Sequence, residues 1–192
     1  LKNHISMTSG KSGEPYLAVI HRLAQPVSGI LVFAKTPAAA KELNRQLTTS
    51  GFGKHYYALV AGTPEQPSAD LENYLVKDAR TNTSRICQKN TADAKLAKLH
   101  YDLVDTTFFA DIASSIPVAT SQLKIKLDTG RHHQIRVQLS GMGCPIIGDT
   151  KYNPDSPKLT TRRTPLCLCA YQLEFRHPVT KKAMTFSLNH YV

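Results

Sequence analysis

The stretch HRLAQPVSG, residues 21–29, places reactive side chains at a predicted turn between two apolar runs. It offers a cation at Arg22 and a hydroxyl at Ser28, and His21 is its one general base. No nucleophile accompanies them. Two interpretations are therefore open at this point: the stretch is a structural turn, or it is an active site that lacks its working residue.

The stretch DTGRHHQIR carries a second group of cations, where a strand is predicted to give way to a helix. Its Thr-Gly dipeptide, residues 129–130, ends the predicted strand, so Arg131, His132 and His133 crowd the N-terminus of the helix. The free N–H groups of a helix N-terminus bind anions. Arg131 and Arg136 can add charge-assisted hydrogen bonds to a carboxylate or a phosphate.

The adjacent histidines and the cysteines raise the alternative of a metal site. Neighbouring residues on a helix diverge by about 100°, so we do not expect His132 and His133 to chelate one ion together. The cysteine spacings are not those of a zinc site, and two of the thiols lie on one face of a predicted strand, LCLCA. We expect buried, reduced thiols and no metal; the cysteines are Cys87, Cys144, Cys167 and Cys169.

The stretch KHYYALVAG alternates in hydropathy and predicts a strand that begins near Lys54. Side chains alternate between the two faces of a strand, so only one of Tyr56 and Tyr57 can face a site. A tyrosine in a strand serves packing more often than chemistry. Other lysines and arginines form a diffuse basic surface.

The charge balance points to a polyanionic partner. Lys and Arg together number 24 against 14 Asp and Glu, which gives a net charge of +10. Such an excess favours nucleic acid over the alternative of a generic basic protein. A membrane surface is less favoured as the partner, because the sequence shows no basic amphipathic helix. No apolar run reaches 18 residues, so the sequence predicts no membrane span, and cysteine usage fits the cytoplasm.

Both helices and strands are predicted around these residues and must position them. Thr36 and Pro37 open a helix that Gly51 ends, and a second helix follows residue 131. Strands are predicted in YLAVIHRL, ILVFA, DAKLAKLHYDLV, QLKIKLDT and the closing LCLCAYQLEFRHPVTKKAMTFSL, with a strand–loop–strand in VKDARTNTSR; residues 105–120 are expected to form a loop. The prediction is one α+β domain over residues 1–192, with a mixed, mostly antiparallel sheet, flanking helices and a central cleft.

Four motifs, in order, resemble the RluA family of RNA pseudouridine synthases. HRLAQPVSGILVFAKT is similar to HRLD-x-x-(T/S)-G, and KHYYALV to K-x-Y-x-A-x-V. TGRHHQIRVQLSGMGCPIIGDTKY resembles T-G-R-x-H-Q-I-R…G-x-P-I-x-G-D-x-x-Y, and LCLCAYQLEFRHPVT the closing motif. Together they span residues 16–180. The family's first strands, with a K-P-x-G motif, do not precede Leu1, which indicates a fragment.

The resemblance implies an isomerase that converts uridine in ribosomal or transfer RNA to pseudouridine, acting as a monomer without metal or cofactor. Arg22 would enter the RNA stack and help to extrude the base, as chemistry on a base requires. Tyr56 would stack on the uracil and act in a late proton transfer, and Arg131 would hold the catalytic aspartate. Further RNA contacts are expected from His21, Lys54, His133 and Arg136, and packing beneath the site from Ile135 and Leu166.

The sequence departs from the family's motif at the catalytic position, because the catalytic aspartate of HRLD corresponds to Ala24 in this chain. Alanine can neither attack nor transfer a proton. Three explanations compete: a deliberate Asp-to-Ala change, a natural member that binds RNA without turnover, or a misplaced motif with another carboxylate in use. Asp149 lies in a structural turn and Asp128 has no clear route to the site, which disfavours the third. The rival functions are a non-catalytic RNA-binding or ribosome-assembly protein and a metal-dependent hydrolase.

Overall fold

The protein is described from a computed structural model, which covers residues 1–9, 13–49, 51–110, 117–153 and 165–189. Within these residues, three helices and ten strands follow one another. They are α1 (Lys2–Ser9), β1 (Ala18–Val19), β2 (Ser28–Gly29), β3 (Phe33–Ala34), α2 (Pro37–Thr48), β4 (Gly53–Ala61), β5 (Ser68–Asp78), β6 (Thr83–Cys87), β7 (Lys95–Ala110), β8 (Pro117–Leu127), α3 (Gln134–Gly141), β9 (Leu168–Arg176) and β10 (Ala183–Ser187).

An eight-stranded sheet forms the centre of the molecule. Seven strands pair antiparallel in the order β10-β9-β4-β8-β7-β5-β6, and β2 adds a short parallel pairing with β9. A separate two-stranded sheet joins β1 to β3. The predicted α+β class with a mixed, mostly antiparallel sheet is confirmed.

Apolar and polar residues alternate along the strands, which gives the sheet one apolar face. In β8, Leu123, Ile125 and Leu127 point into the core while the intervening lysines are exposed. Ile135 and Leu139 of α3 pack against this face in the same cluster. Burial of these side chains, at roughly 25 cal/mol per Å² of apolar surface, is the main force that holds α3 on the sheet.

Helix α2 covers the other end of the sheet. Its N-cap is Thr36, whose Oγ1 accepts a hydrogen bond from the Ala39 N–H at 3.2 Å, and Pro37 occupies the first turn. Ala40 and Leu43 are buried in a second cluster with Phe175 of β9. The predicted helix start is therefore confirmed, and the Thr36 cap and Pro37 explain why the helix begins there.

Two sequence predictions differ from the structure. The runs YLAVIHRL and ILVFA form only the two-residue strands β1 and β3, because these segments pair with each other and not within the large sheet. Residues 105–120 are not a loop as a whole: β7 continues to Ala110 and β8 starts at Pro117. A register shift between Leu103 and Asp105 breaks the alternation that would have revealed the strand. Residues 111–116, between these two strands, and residues 154–164 lie outside the described residues.

All four cysteines are free thiols; Cys87 is half-buried and the other three are buried, as predicted. Within the described part of the chain, none of the helices has both the length and the apolar character needed to cross a membrane.

Candidate active site

A cleft of about 960 Å³ opens above the apolar face of the sheet. Three segments that are distant in sequence line it: the loop before β2, the start of β4, and the connection from β8 into α3. Nine of the ten residues singled out from the sequence lie on this wall, namely His21, Arg22, Ala24, Lys54, Tyr56, Arg131, His133, Ile135 and Arg136.

The loop that carries Arg22 and Ala24 is held in place by β2. The Val27 N–H donates to the Ala24 carbonyl at 2.7 Å, which closes a turn, and the Ile30 N–H donates to the Ala170 carbonyl at 2.9 Å. Gly29 approaches β9 so closely that a Cβ there would lie 2.4 Å from the Ala170 oxygen, and its φ is +134°. Only glycine meets both conditions.

The two tyrosines of β4 lie on opposite faces, as predicted. Tyr56 is buried and lines the cleft, and burial raises its pKa to about 12. Its phenol is therefore protonated throughout the physiological range and can hold or donate a proton. Tyr57 packs against Tyr171 on the far side of the sheet, with ring centroids 4.1 Å apart.

Positive charge dominates the cleft. Burial, and after it the Arg131 guanidinium, lower the pKa of Lys54, while Asp128 acts in the opposite direction. Burial and the Lys54 charge also lower the pKa of His21, whose Nε2 accepts a 3.4 Å hydrogen bond from the Val32 N–H. His21 is therefore a neutral acceptor that is already engaged by the backbone.

Gln134, the first residue of α3, organises the turn that presents Arg131. Its Oε1 accepts from the Arg131 N–H at 2.9 Å and from the Thr129 hydroxyl at 2.8 Å. Its Nε2 donates to the Lys98 carbonyl of β7 at 3.0 Å. The Arg131 Nε in turn donates to the Leu96 carbonyl at 2.8 Å. The sequence analysis missed this role, because a glutamine at a helix start does not reveal which distant carbonyl it will meet.

The paired histidines depart from the prediction that they diverge. Their rings stack with centroids 3.8 Å apart, because both precede the helix and His133 is an N-cap with φ of 52°. His132 contacts the Ser84 hydroxyl at 2.9 Å, and His133 Nδ1 contacts the Tyr152 hydroxyl at 2.8 Å. Burial, followed by the charge of Arg136, lowers the pKa of His133 to about 4. His133 is thus a buried, neutral wall residue and not an exposed RNA contact.

The prediction of Arg136 as an RNA-binding residue also needs correction. Its side chain is 5% exposed and forms two hydrogen bonds to the carboxylate of Asp149, at 2.8 and 2.6 Å. The guanidinium lies 5.0 Å from the centre of the Tyr152 ring. Asp149 also accepts from the N–H groups of Lys151 and Tyr152. A cation that is paired and buried in this way fixes α3 to the following turn.

Two further residues lie at or near the cleft wall. Leu166 belongs to the core cluster with Tyr56 and Ile135, where a packing residue of the site would lie, and Leu168, two positions on, lines the cleft itself. Asp128, which immediately follows β8, does line the cleft, whereas its sequence position had indicated no route to the site. It is exposed, and it is the one carboxylate among the described lining residues.

The described residues contain no group of three or more His, Cys, Asp or Glu side chains placed to hold a metal ion. Three of the four ring nitrogens of His132 and His133 are engaged in hydrogen bonds: His132 Nδ1 with Ser84, His132 Nε2 with Asn82 at 3.1 Å, and His133 Nδ1 with Tyr152.

Comparison with known proteins gives a consistent result. The family model for RNA pseudouridylate synthase matches residues 3–141. The dual-specificity RNA pseudouridine synthase RluA of Pasteurella multocida is 34% identical over 168 residues, which cover 87% of this chain and 70% of that protein. The corresponding enzyme of Escherichia coli is 32% identical over 181 residues, 94% of this chain and 76% of that protein.

A further relative is the ribosomal large subunit pseudouridine synthase D of Nitrosomonas europaea, 35% identical over 172 residues, 85% of this chain and 45% of that protein. Among solved structures, human RNA pseudouridylate synthase domain containing 4 matches with a TM-score of 0.75 at 22% identity, over 98% of this chain and 77% of that one. With the family model and the RluA enzymes in agreement, the chain belongs to the RNA pseudouridine synthases of the RluA type.

Proposed function

We propose that this RluA-type chain binds structured RNA in the cleft and extrudes a uridine there, but that its isomerisation step is impaired by Ala24. The observation that supports the proposal is the common cleft of Ala24, Tyr56 and Arg131, three residues from separate segments. A cleft that keeps its tyrosine and its arginine but has only a methyl group at residue 24 can position a nucleotide without attacking it.

Each remaining side chain has a role in the proposal. Arg22 is exposed at the cleft and takes the space of the extruded base in the RNA stack, where a guanidinium can both stack and pair. Tyr56 lies under the uracil and keeps its proton because burial raises its pKa to about 12. Arg131 holds the carboxylate when residue 24 is an aspartate.

A second candidate function has its own observation. Asp128 lines the cleft beside Lys54, so the chain retains one carboxylate near the site. In this version the chain is an active synthase that uses Asp128 in place of residue 24. Its exposed position argues against it, because a carboxylate in open water is a weak nucleophile and a weak base at neutral pH.

The experiment compares four proteins: the unsubstituted chain, Ala24→Asp, Ala24→Asn and Asp128→Asn. The asparagine at residue 24 has the shape of aspartate without its charge. Pseudouridine is measured in total RNA from a strain that lacks its native synthase and is complemented with each version, and RNA affinity is measured alongside. We expect binding from all four and pseudouridine only from Ala24→Asp. Activity in the unsubstituted chain that disappears with Asp128→Asn would replace the first proposal by the second.

A silent Ala24→Asp protein that folds and binds RNA would instead favour the non-catalytic RNA-binding alternative. The proposal leaves open ribosomal or transfer RNA as the substrate, since the named relatives include a dual-specificity enzyme and a large-subunit enzyme. Mapping the restored pseudouridines in Ala24→Asp cells would identify the RNA. We also expect a cytoplasmic monomer, which fractionation and sedimentation would test.

A further inference from the structure

The hairpin of β5 and β6 extends the molecule beyond the cleft and reaches the cleft rim at Asn82. Leu75 of this hairpin belongs to a buried cluster with Val137 of α3, so its side of the hairpin faces α3. Side chains alternate between the faces of a strand, which puts Lys77 on the same side as Leu75. Arg85 pairs with the residue before Lys77 and therefore lies on the far side.

Hydrogen bonds hold this hairpin against the residues that precede and follow α3. His132 contacts the Ser84 hydroxyl at 2.9 Å and the Asn82 Oδ1 at 3.1 Å. The Tyr152 hydroxyl accepts from the Ser84 N–H at 2.8 Å, and the Lys151 ammonium donates to the Asn82 carbonyl at 3.0 Å. The hairpin is therefore a preformed continuation of the cleft wall.

Lys77 and Lys151 bring two positive charges to this side of the hairpin. Both are exposed, and after burial their charges are the largest causes that lower the pKa of His132. Neither ammonium has a carboxylate at ion-pair distance among the described residues. Asp78, the one acidic residue between 76 and 87, accepts from two backbone N–H groups at the tip. The side of the hairpin that faces α3 therefore carries uncompensated positive charge.

We infer that an RNA strand leaving the cleft passes over this side of the hairpin, where Lys77 and Lys151 bind its phosphates. The inference rests on the proposed function, because it takes RNA as the occupant of the cleft. Asn82 joins the two surfaces, since it lines the cleft and its carbonyl accepts from Lys151. A lysine ammonium binds a phosphate as a point charge. Contacts to phosphates position a strand and carry no sequence information, so both lysines should act alike on every RNA sequence.

A phosphate contact differs from the general attraction of a basic protein in its dependence on salt. Each lysine that neutralises a phosphate releases condensed counter-ions, which steepens the slope of log K against log salt by about 0.7–0.9. Loss of net charge alone would act from any part of the surface. Two variants of equal net charge, altered on opposite faces, therefore separate the two effects.

The first test compares double variants that each remove two positive charges. Lys77→Gln with Lys151→Gln alters the side that faces α3, and Arg85→Gln with Lys126→Gln alters the opposite face. Glutamine at residue 151 can still donate to the Asn82 carbonyl. Anisotropy is measured over a range of salt concentrations with labelled RNA hairpins of different loop sequence.

We expect the first double variant to weaken binding about tenfold at low salt. Its slope should be smaller by roughly one to two units, and its loss of affinity should be the same for each loop sequence. The second double variant should keep the slope of the unsubstituted chain. Equal slopes in the two double variants would overturn the inference, as would a loss of affinity that depends on the loop sequence.

A second measurement uses the unsubstituted chain, so it does not depend on the folding of any variant. Exposed lysines are acetylated with an N-hydroxysuccinimide ester in the presence and absence of RNA, and mass spectrometry gives the extent at each position. RNA should protect Lys77 and Lys151 but not Lys126. Bound RNA that leaves Lys77 and Lys151 fully reactive would overturn this inference alone, whereas a chain that binds no RNA would overturn it together with the proposed function.

Discussion

At the scale of single residues, His133 shows how one part of the cleft wall stays uncharged in a basic protein. Its imidazole is buried beside the Arg136 guanidinium, and both effects lower its pKa to about 4. The neutral ring can accept a hydrogen bond from the Tyr152 hydroxyl, whose oxygen accepts from the Ser84 N–H at 2.8 Å. Protonation of His133 would therefore remove the acceptor from a contact that links α3 to β6.

The first prediction is a loss of stability in acid that depends on this residue. In the unfolded chain His133 titrates near its usual pKa of 6.5, so the unfolded state takes up the proton first as the pH falls. The contribution of the neutral ring is complete above about pH 6.5 and is lost as the pH falls towards 4, up to about 3 kcal/mol. His133→Asn should flatten this part of the curve, because asparagine tolerates a φ of 52° and can still accept from Tyr152.

The measurement is the free energy of unfolding in urea between pH 7.5 and 4.5 for both proteins. Other histidines titrate in the same range, but they are common to the two chains, so the difference isolates His133. Parallel stability curves would show that its burial has no energetic consequence.

At the scale of elements, the pairing of β2 with β9 decides where the loop of Arg22 and Ala24 lies. The pairing involves only two residues of β2. It requires glycine at residue 29, because the backbone there has a φ of +134° and lies close to Ala170. The attachment is short, so its loss would release the loop without unfolding the eight-stranded sheet.

The second prediction is that Gly29→Ala displaces this loop. Backbone strain alone should cost roughly 1–3 kcal/mol, and the added Cβ cannot occupy a position 2.4 Å from the Ala170 oxygen. RNA affinity should fall more than stability does. Gly13→Ala is the matched control, with φ of +104° and nothing within 4 Å of the new Cβ. Similar RNA affinity in the two variants would mean that β2 does not position the cleft.

Elements of this kind also show what the sequence can predict. Strands β4 and β8 and helix α2 follow from alternation, an N-cap and a stop signal, which are local properties of the chain. The faces of Tyr56 and Tyr57 follow from the same alternation. The pair of Arg136 and Asp149 could not be predicted, because it depends on how the turn after α3 folds back. The same holds for the Lys98 carbonyl that Gln134 meets, which lies 36 residues away in the chain.

At the scale of the whole molecule, charge and shape work together. The net charge of +10 attracts a polyanion over distances of about a Debye length. The cleft adds local cations, of which Arg22 and Arg131 are exposed on its wall. In the proposed function, the long-range field brings RNA to the protein, and the short-range contacts of the cleft select an extruded base.

The third prediction separates these two contributions by salt. If about five phosphates are contacted, log K for RNA binding should fall with log salt at a slope of roughly −3 to −4. Arg22→Ala should weaken binding of structured RNA by roughly 1–3 kcal/mol while leaving the slope nearly unchanged, because a stacked guanidinium contributes little to phosphate neutralisation.

The measurement is fluorescence anisotropy with a labelled RNA hairpin between 50 and 300 mM salt. The control variant is Lys126→Ala, which removes an exposed cation on the other face of the sheet. A slope near zero would argue against a nucleic-acid partner. A slope reduced by about one unit in Arg22→Ala would place this side chain on a phosphate and not in the base stack.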